Sequence, residues 1–506
     1  FFLDAIASLD KCLQHDPNYL EAIYHRGLTY YYMRDYTRSL KDFKRGVGVV
    51  DEWDQLNGRL ERFLEKEETG ALSSREERQK QEAQETLAQD YDRATEFLVR
   101  KAMRRDLHLV RGDAYDANDQ WGEARNSYRD ALDLRKALNP ADPLPHTKIG
   151  LALLHEGEAV FYDKGLLHMC IRSVDAAVTK LDEAIGYSED FAPAHAAMGD
   201  VYLFQASTYV SDSERGILSH TYEDALAEFD KALDADPLLI PARLNRARTY
   251  LQLGQAGKAV EDLQEALNTD PRNANLYAVA ATAYQLAQDY PTAIETSATA
   301  LSLDPDSAEA HNAAGLSYYY LGELGMAAEH FAKAIEADPT KHQSYTNLGN
   351  AYFQMESWHR ARQQYEKALD IIPDSTVANT SFQRSYLLYL VARTHHFTGQ
   401  FNKEIKVLNQ ALTLDPAYIE ALLQLAQAYI EIDNYRAAEI DLRLALNKSP
   451  GEEMDAVIHT FLGRLFEKEG RVHDAITHYG SALKAAQAAS VANPEAEEAL
   501  RRLKAG

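Results

Sequence analysis

The sequence predicts an all-α fold made of repeated helical hairpins, and three features predict it. Prolines recur 34 residues apart, and the spacing resumes after one longer interval; they stand at Pro237, Pro271, Pro305, Pro339 and Pro373, and again at Pro416 and Pro450. Between prolines, apolar residues follow one another at intervals of three and four, which places them on one helix face. Ala, Leu, Glu and Gln are abundant, and these residues favour helices.

The repeat that ends at Pro373 shows how one hairpin is built. Leu348, Gly349 and Tyr352 mark a first helix, and the second helix is marked by Ala361, Tyr365 and Ala368. Gly349 and Ala361 stand where the two helices approach closely, so larger side chains there would push the helices apart. Because proline cannot continue a helix, it fixes the turn into the next repeat.

This pattern resembles the tetratricopeptide repeat (TPR) family. The same positions recur in other repeats as Gly315, Tyr318, Ala327, Phe331 and Ala334, and as Ala426, Tyr429, Ala438, Leu442 and Ala445. The resemblance covers most of the chain and implies a right-handed superhelical α-α solenoid of about eleven hairpins, with a partial N-terminal unit and a C-terminal capping helix. The family's tryptophan at the fourth position is replaced here by Arg243, Tyr277, His311, Tyr345 and Leu422.

Carried along the chain, the repeat pattern predicts six regions. These are N-terminal units at 1–51, a charged helical insertion at 52–100, units with two insertions at 101–237, a regular array at 238–373, C-terminal units at 374–487 and a capping helix at 488–506.

The two ends of the chain differ in the pattern. The first unit, with Ala5, Leu9 and Pro17, lacks its first helix, so we expect upstream residues to be missing. At the other end, Asn493 and Pro494 predict the start of a polar helix with acidic residues in its first turn and basic residues in its last.

The segment 52–100 leaves the 34-residue register and is strongly charged. Alternating charges are typical of a solvated helix face, which favours a pair of long exposed helices. The alternative interpretation is a docking element.

Composition narrows the classes of function. The net charge of −25 disfavours nucleic acid and favours other proteins or peptides as partners, including basic segments. Only two cysteines occur, Cys12 and Cys170, so neither a disulfide framework nor a thiolate metal cage is expected. The sequence has no apolar run of about 18 residues and predicts no membrane insertion. It leaves the compartment open, with a soluble cytoplasmic protein slightly favoured.

Catalytic patterns are missing from the sequence. We find no nucleophile elbow, phosphate-binding loop or dinucleotide fingerprint, and we expect no enzyme activity and no cofactor. The histidines His395, His396, His459, His473 and His478 lack partners at metal-ligand spacing, so they are interpreted as surface or packing residues and no metal is expected.

The first helices of a TPR array line an extended concave surface used for binding. The resemblance places thirteen residues there: Asn245, Arg248, Thr282, Gln285, Asn312, Tyr319, Tyr320, Asn347, Asn350, Phe353, Gln354, Gln424 and Gln427. Amides can pair with a peptide backbone and aromatic rings offer flat apolar area. The alternative is that these are ordinary solvated residues on an open face.

Two neighbouring units carry insertions between their first and second helices, at 155–173 and 204–222. Insertions in repeat arrays map to one face, so we predict a second partner site formed by Phe161, Tyr162, Tyr209 and Ile217. The alternative is that the inserted residues lengthen the two helices and pack on each other.

Three functions remain open from the sequence. The leading one is a non-catalytic interaction scaffold or adaptor; the second is the recognition or regulatory arm of a larger signalling protein or enzyme. The third is a glycosyltransferase-type substrate arm, because the run Asn347-Leu348-Gly349-Asn350 is similar to the asparagine-lined arm of O-linked N-acetylglucosamine transferases. The chaperone-binding carboxylate clamp is missing, because the positions around Asn347 hold Asn312, Leu316 and Leu390 instead of basic residues.

Overall fold

A computed structural model describes residues 2–68, 73, 75–81, 97–138, 142–164, 167–208, 220–372, 378–449 and 451–505. These residues form helices joined by short turns, with no strand among them. The chain divides into two compact units, residues 1–205 with 220–242, and residues 206–219 with 243–506. The predicted all-α repeat fold is confirmed.

The helices of the first unit are α1 (Phe2–His15), α2 (Leu20–Tyr32), α3 (Tyr36–Glu68), α4 (Phe97–Asp116), α5 (Trp121–Leu138), α6 (Leu144–Lys164), α7 (Leu167–Tyr187), α8 (Ala192–Thr208) and α9 (Tyr222–Ala235). Residues 75–81 are also helical. The boundary that we drew at residue 52 lies inside α3, because this helix continues without a break to Glu68.

Helix α10 (Ile240–Gln252) begins at the boundary between the units. It is followed by α11 (Ala256–Thr269), α12 (Ala274–Leu286), α13 (Tyr290–Leu303), α14 (Ala308–Tyr320), α15 (Leu324–Ala337), α16 (His342–Gln354), α17 (Trp358–Ile371), α18 (Ala378–Phe397), α19 (Phe401–Leu414), α20 (Ile419–Glu431), α21 (Tyr435–Asn447), α22 (Glu452–Lys468), α23 (Val472–Ala488) and α24 (Pro494–Ala505). Asn493 caps α24 by accepting the Ala496 N–H at 3.1 Å, so the helix start predicted there is present.

Each hairpin closes on a contact between a small residue of the first helix and a larger one of the second. A Cβ built on Gly349 would lie 2.5 Å from Tyr365, and one on Gly315 would lie 2.6 Å from Phe331. In both hairpins the ring follows the glycine by 16 residues and is buried. The predicted close approach at Gly349 is therefore real, and the ring of Tyr365 occupies it.

Two kinds of turn join the helices. Between hairpins, an aspartate just before the proline position accepts the N–H two residues later at 2.9–3.3 Å, as Asp236, Asp270, Asp304, Asp338 and Asp415 do. Within hairpins, one residue takes a left-handed backbone conformation, and it is glycine at Gly254, Gly322, Gly399 and Gly470. The carboxylates before the prolines thus serve the turns.

Candidate functional site

In the second unit, the first helices of neighbouring hairpins lie side by side. Helix α12 contacts α14, α14 contacts α16, α18 contacts α20, and α20 contacts α22. Side chains at matching positions of these helices therefore share one face, which we call the first-helix face. Twelve of the thirteen predicted groove residues are at least partly exposed.

Arg248 ties three successive first helices together on this face. Its Nη2 group donates to Asn275 Oδ1 of α12 at 3.2 Å and to Glu309 Oε2 of α14 at 3.0 Å. Because Arg248 and Glu309 are both more than a third exposed, the ion pair adds little to stability. Its main effect is that Glu309 neutralises the charge of Arg248, so this part of the first-helix face is occupied by a contact within the protein.

The amides of the first-helix face are held mostly by contacts within the protein. Asn347 Nδ2 donates to Asn312 Oδ1 at 2.9 Å, and Asn350 Oδ1 accepts from the Tyr365 hydroxyl at 2.8 Å. Gln424 Nε2 donates to Glu404 at 2.6 Å. These bonds orient the amides and leave the Asn350 NH2 group available to a ligand.

Two predicted groove positions serve the structure itself. Gln285 is only 6% exposed, so the prediction that it offers its amide to a ligand is wrong, because a buried side chain does not reach a ligand in the groove. Thr282 is half-buried, and its hydroxyl donates to the Ala278 carbonyl at 3.2 Å, a contact within its own helix.

Aromatic residues line the end of the first helices, next to the turn into the second. Tyr320 stacks on Tyr290 of the preceding second helix, with ring centroids 5.4 Å apart, and stays 57% exposed. Trp358 and Phe397 stack in the same arrangement at 4.5 Å, and Phe353 meets both rings edge-on. Tyr320 therefore belongs to the rim of the first-helix face and not to its floor.

Sequence reasoning missed Trp358, Phe397 and Arg393. The guanidinium carbon of Arg393 lies 4.5 Å from the centre of the Phe353 ring and 5.9 Å from that of Tyr389. Ala392 follows Gly349 by 43 residues instead of 34, so the proline spacing did not align α18 with its neighbours. Aligning on small residues 16 positions before a large apolar one would have placed Arg393 in the register of Arg248 and Asn350.

A buried carboxylate lies beneath the face between α18 and α20. Glu404 of α19 is fully buried, and both of its oxygens lie 3.1 Å from His396 Nδ1. The hydrogen bond with Glu404 raises the pKa of His396, against the opposing effect of burial. Gln427 Nε2 lies 3.5 Å from the other ring nitrogen of His396, so the pair connects to the first-helix face.

In the first unit, the first helix α4 carries carboxylates at comparable positions. Asp113 accepts from the Tyr128 hydroxyl at 2.9 Å and pairs with Lys148 at 2.9 Å, while Asp116 pairs with His155 at 2.8 Å. Burial, followed by the charge of Asp113, raises the pKa of Tyr31 to about 12. Acidic groups thus mark this face of α4, whereas amides and rings mark the first helices of the second unit.

The structure differs from the prediction of a second partner site formed by the two insertions. The inserted residues 155–164 and 167–173 lengthen α6 and α7, and Gly157 of α6 packs against Val174 and Cys170 of α7. Phe161 is 3% exposed, so its prediction as an exposed contact is wrong, because it packs in the interior. The side chain of Tyr162 and all of Tyr209 and Ile217 lie outside the described residues.

The described residues include close histidine pairs but no metal-binding group. No group of three or more His, Cys, Asp or Glu side chains among them is placed to hold a metal ion. Two histidine pairs occur instead, His311 with His330 and His459 with His478, with Nδ1 atoms 3.2 Å and 3.0 Å apart. None of the helices in the described ranges is long and apolar enough to span a membrane.

Three family models match four ranges of the chain, two of which overlap. Residues 240–273, 341–417 and 419–450 match models described as tetratricopeptide repeat, and residues 315–356 match a TPR repeat model. No curated protein sequence matches the chain. The resemblance inferred from the proline spacing is therefore confirmed, and the chain contains tetratricopeptide repeats.

Several solved structures are similar in fold. The APC/C hetero-tetramer Cut9-Hcn1 is 16% identical, covers 99% of this chain and 93% of that chain, and has a TM-score of 0.47. The human IFIT1 dimer with PPP-AAAA is 17% identical, covers 86% and 95%, and has a TM-score of 0.46. The thermophilic TPR protein TTC0263 of Thermus thermophilus is 26% identical, covers 33% and 90%, and has a TM-score of 0.31.

Proposed function

We propose that this tetratricopeptide repeat chain is a non-catalytic scaffold that binds partner polypeptides along the first-helix face of its hairpins. The supporting observation is the row of accessible rings and amides on successive first helices of the second unit. Tyr320 is 57% exposed and Phe397 is 52% exposed, and Gln354 is exposed between them in the sequence. Exposed aromatic side chains beside oriented amides suit an extended peptide, because rings supply apolar area and amides pair with its backbone.

The charge of the chain supports partners that are basic overall. Acidic side chains number 78 against 53 basic ones, and Asp113 and Asp116 lie on the first helix α4 of the first unit. A strongly negative surface attracts positive partners and repels nucleic-acid phosphates. The proposed partners are therefore proteins or peptides, including basic segments.

The test is affinity co-purification with mass spectrometry, comparing the native chain with a Tyr320→Ala, Gln354→Ala, Phe397→Ala variant. These side chains are exposed, so their truncation removes contact area without opening the core. The matched control is Leu303→Ala, Ile440→Ala, Leu444→Ala, which truncates exposed apolar residues of second helices.

Both variants are first checked for native helicity by circular dichroism. We expect specific partners to be retained by the native and control chains and lost from the first-helix variant. Partners that survive all three changes would contradict the proposed binding face.

A further inference from the structure

Arg393 occupies the first-helix face at the register of Arg248, Asn350 and Gln427. It lies in α18, one residue after Ala392, whose side chain is fully buried at the hairpin contact. The guanidinium sits over the Phe353 ring of α16 and near the Tyr389 ring of its own helix. A guanidinium held against ring faces keeps its N–H edges free for planar acceptors.

Within the described ranges, no carboxylate lies at ion-pair distance from Arg393 and none of its N–H groups has a hydrogen-bond acceptor. Several other partly buried arginines have partners: Arg248 pairs with Glu309, Arg246 with Asp262, and Arg26 with Asp10 and Asp42, while Arg384 donates to the backbone carbonyls of Leu369 and Ile372. The chain has 25 more acidic than basic side chains, so a partly buried arginine without a carboxylate partner is unexpected on the first-helix face. Its charge is compensated only by ring faces and solvent.

The surroundings of Arg393 are aromatic and partly open. Tyr386 is 38% exposed and Phe397 is 52% exposed, and Phe397 stacks on Trp358. Burial raises the pKa of Tyr386 and Tyr389, and in both cases the charge of Arg393 opposes the rise. The two tyrosine hydroxyls are therefore within electrostatic reach of the same cation and remain neutral donors at physiological pH.

We propose that Arg393 binds the side-chain carboxylate of an aspartate or glutamate in an extended partner peptide, next to an apolar side chain that packs on Phe397. Arginine binds carboxylates through two parallel hydrogen bonds, which fixes orientation as well as charge. This inference rests on the proposed peptide-binding function and specifies one position of it: a single acidic residue within a partner that is basic overall.

The experiment is selection from a random peptide library displayed on phage, in which each peptide is fused at its C-terminus so that side chains supply the only peptide carboxylates. Four chains are compared: native, Arg393→Gln, Arg393→Glu and Arg436→Gln. Arg436 is the matched control, because it is a solvent-facing arginine of the second helix α21. Selected peptides are then measured by fluorescence polarisation, and each chain is checked by circular dichroism.

The native and Arg436→Gln chains should select peptides with an acidic residue beside an apolar one, and replacing that acid by its amide should weaken binding roughly tenfold or more. Arg393→Gln should lose this preference, and Arg393→Glu should select a basic residue in its place. The reversal is informative even if Arg393→Gln loses affinity for other reasons.

Other outcomes separate the two proposals. The carboxylate site is wrong if the selected peptides are not enriched in acidic residues, or if the Arg393→Gln chain selects the same acidic residues as the native chain. If binding still depends on Tyr320 and Phe397 in either case, the scaffold function stands. If no chain selects a peptide that depends on the first-helix face, both proposals are wrong.

Discussion

Two kinds of hairpin occur in this chain, and they differ in how the first helix meets the second. In one kind a glycine faces an aromatic ring, in the pairs Gly27–Phe43, Gly112–Tyr128, Gly199–Phe229, Gly315–Phe331, Gly349–Tyr365 and Gly463–Tyr479. In the other kind alanine holds the first position and a smaller residue the second, in the pairs Ala247–Leu263, Ala281–Ser297, Ala392–Leu408 and Ala426–Leu442.

The difference shows that volume is shared across the helix contact. Where the first helix has a glycine, the second helix fills the space with a ring in the six pairs above and with Leu181 opposite Gly150. Where the first helix has an alanine, the residue opposite is smaller than a ring. Interiors are close-packed, so neither position can change size alone without strain or a void. The two kinds of hairpin are alternative solutions of one packing constraint, and each predicts its own response to mutation.

The largest effect on stability should come from replacing the glycine of a glycine–ring pair by alanine while the ring is kept. In Gly349→Ala the new Cβ would lie 2.5 Å from Tyr365 Cε1, and this ring is 1% exposed with its hydroxyl bonded to Asn350. We expect a loss of stability of roughly 1–3 kcal/mol, measured by urea unfolding followed by circular dichroism.

Gly325→Ala is the control for the helix propensity of alanine, because a Cβ there meets nothing within 4 Å. It should stabilise slightly. The double variant Gly349→Ala, Tyr365→Leu, which recreates the alanine–leucine pair, should recover stability relative to the sum of the single changes by about 1 kcal/mol. Strict additivity would show that the two positions do not share volume.

The hairpin with Ala281 and Ser297 is incomplete by the same comparison. Ser297 is fully buried, its hydroxyl has no hydrogen-bond partner, and other alanine hairpins carry leucine at this position. Ser297→Leu should therefore raise the stability by roughly 1–2 kcal/mol, because apolar burial replaces an unpaired hydroxyl. Ser297→Ala should change stability less; a lower urea midpoint for Ser297→Leu would refute the packing argument.

Two histidine sites in these hairpins should respond oppositely to pH. In the glycine hairpin of α14 and α15, His311 Nε2 lies 3.2 Å from the Pro305 carbonyl, which only accepts, so its Nδ1 is left to accept from His330. Burial lowers the pKa of both histidines, and for His330 the charge of His311 adds to this. The unfolded chain then binds more protons, so stability is full above about pH 6.5 and falls as acid protonates the pair.

For His396, in the hairpin of α18 and α19, the sign is reversed. The hydrogen bond with Glu404 raises the pKa of His396, so the folded chain binds more protons and this contribution is full below about pH 6.5 and lost as the pH rises through the folded value. Urea unfolding from pH 5 to 8 should show a weaker acid loss in His330→Gln and a weaker alkaline loss in His396→Gln. Equal pH profiles for the two variants would contradict the assignment.

The smallest effects should come from the turn inside each hairpin, where the two kinds do not differ. The left-handed residue is Gly322 in one hairpin, with φ of 81°, and Glu356 in the next, with φ of 57°. Glu356→Gly should stabilise and Gly322→Ala destabilise, each by about 1 kcal/mol, because a Cβ is strained in this conformation. Thermal unfolding measures both; shifts of the same sign would contradict the turn argument.

Much of the repeat could be predicted because its signals are local. The prolines at 34-residue spacing and the helix start at Asn493 act within a few residues of their own positions. The structure places the described prolines, such as Pro339, between helices and begins a helix after Asn493, as predicted, while Pro373 and Pro450 lie outside the described residues. The errors arose where contacts join distant residues. Phe161 was predicted to form part of an accessible partner site, yet it is buried, with 3% of its surface exposed.

The sequence by itself determined the fold class, the hairpin as the repeating unit and the first helices as the binding surface to expect. Only the tertiary structure decided which side chains on that surface remain available. Arg248 is used by Glu309, Asn347 by Asn312 and Gln424 by Glu404, whereas Arg393 keeps its N–H groups open above the Phe353 ring. The periodicity of the sequence determines on which side of a helix a residue lies. The partners of that residue come from other repeats, and the packing of the helices sets the distance between the residue and those partners.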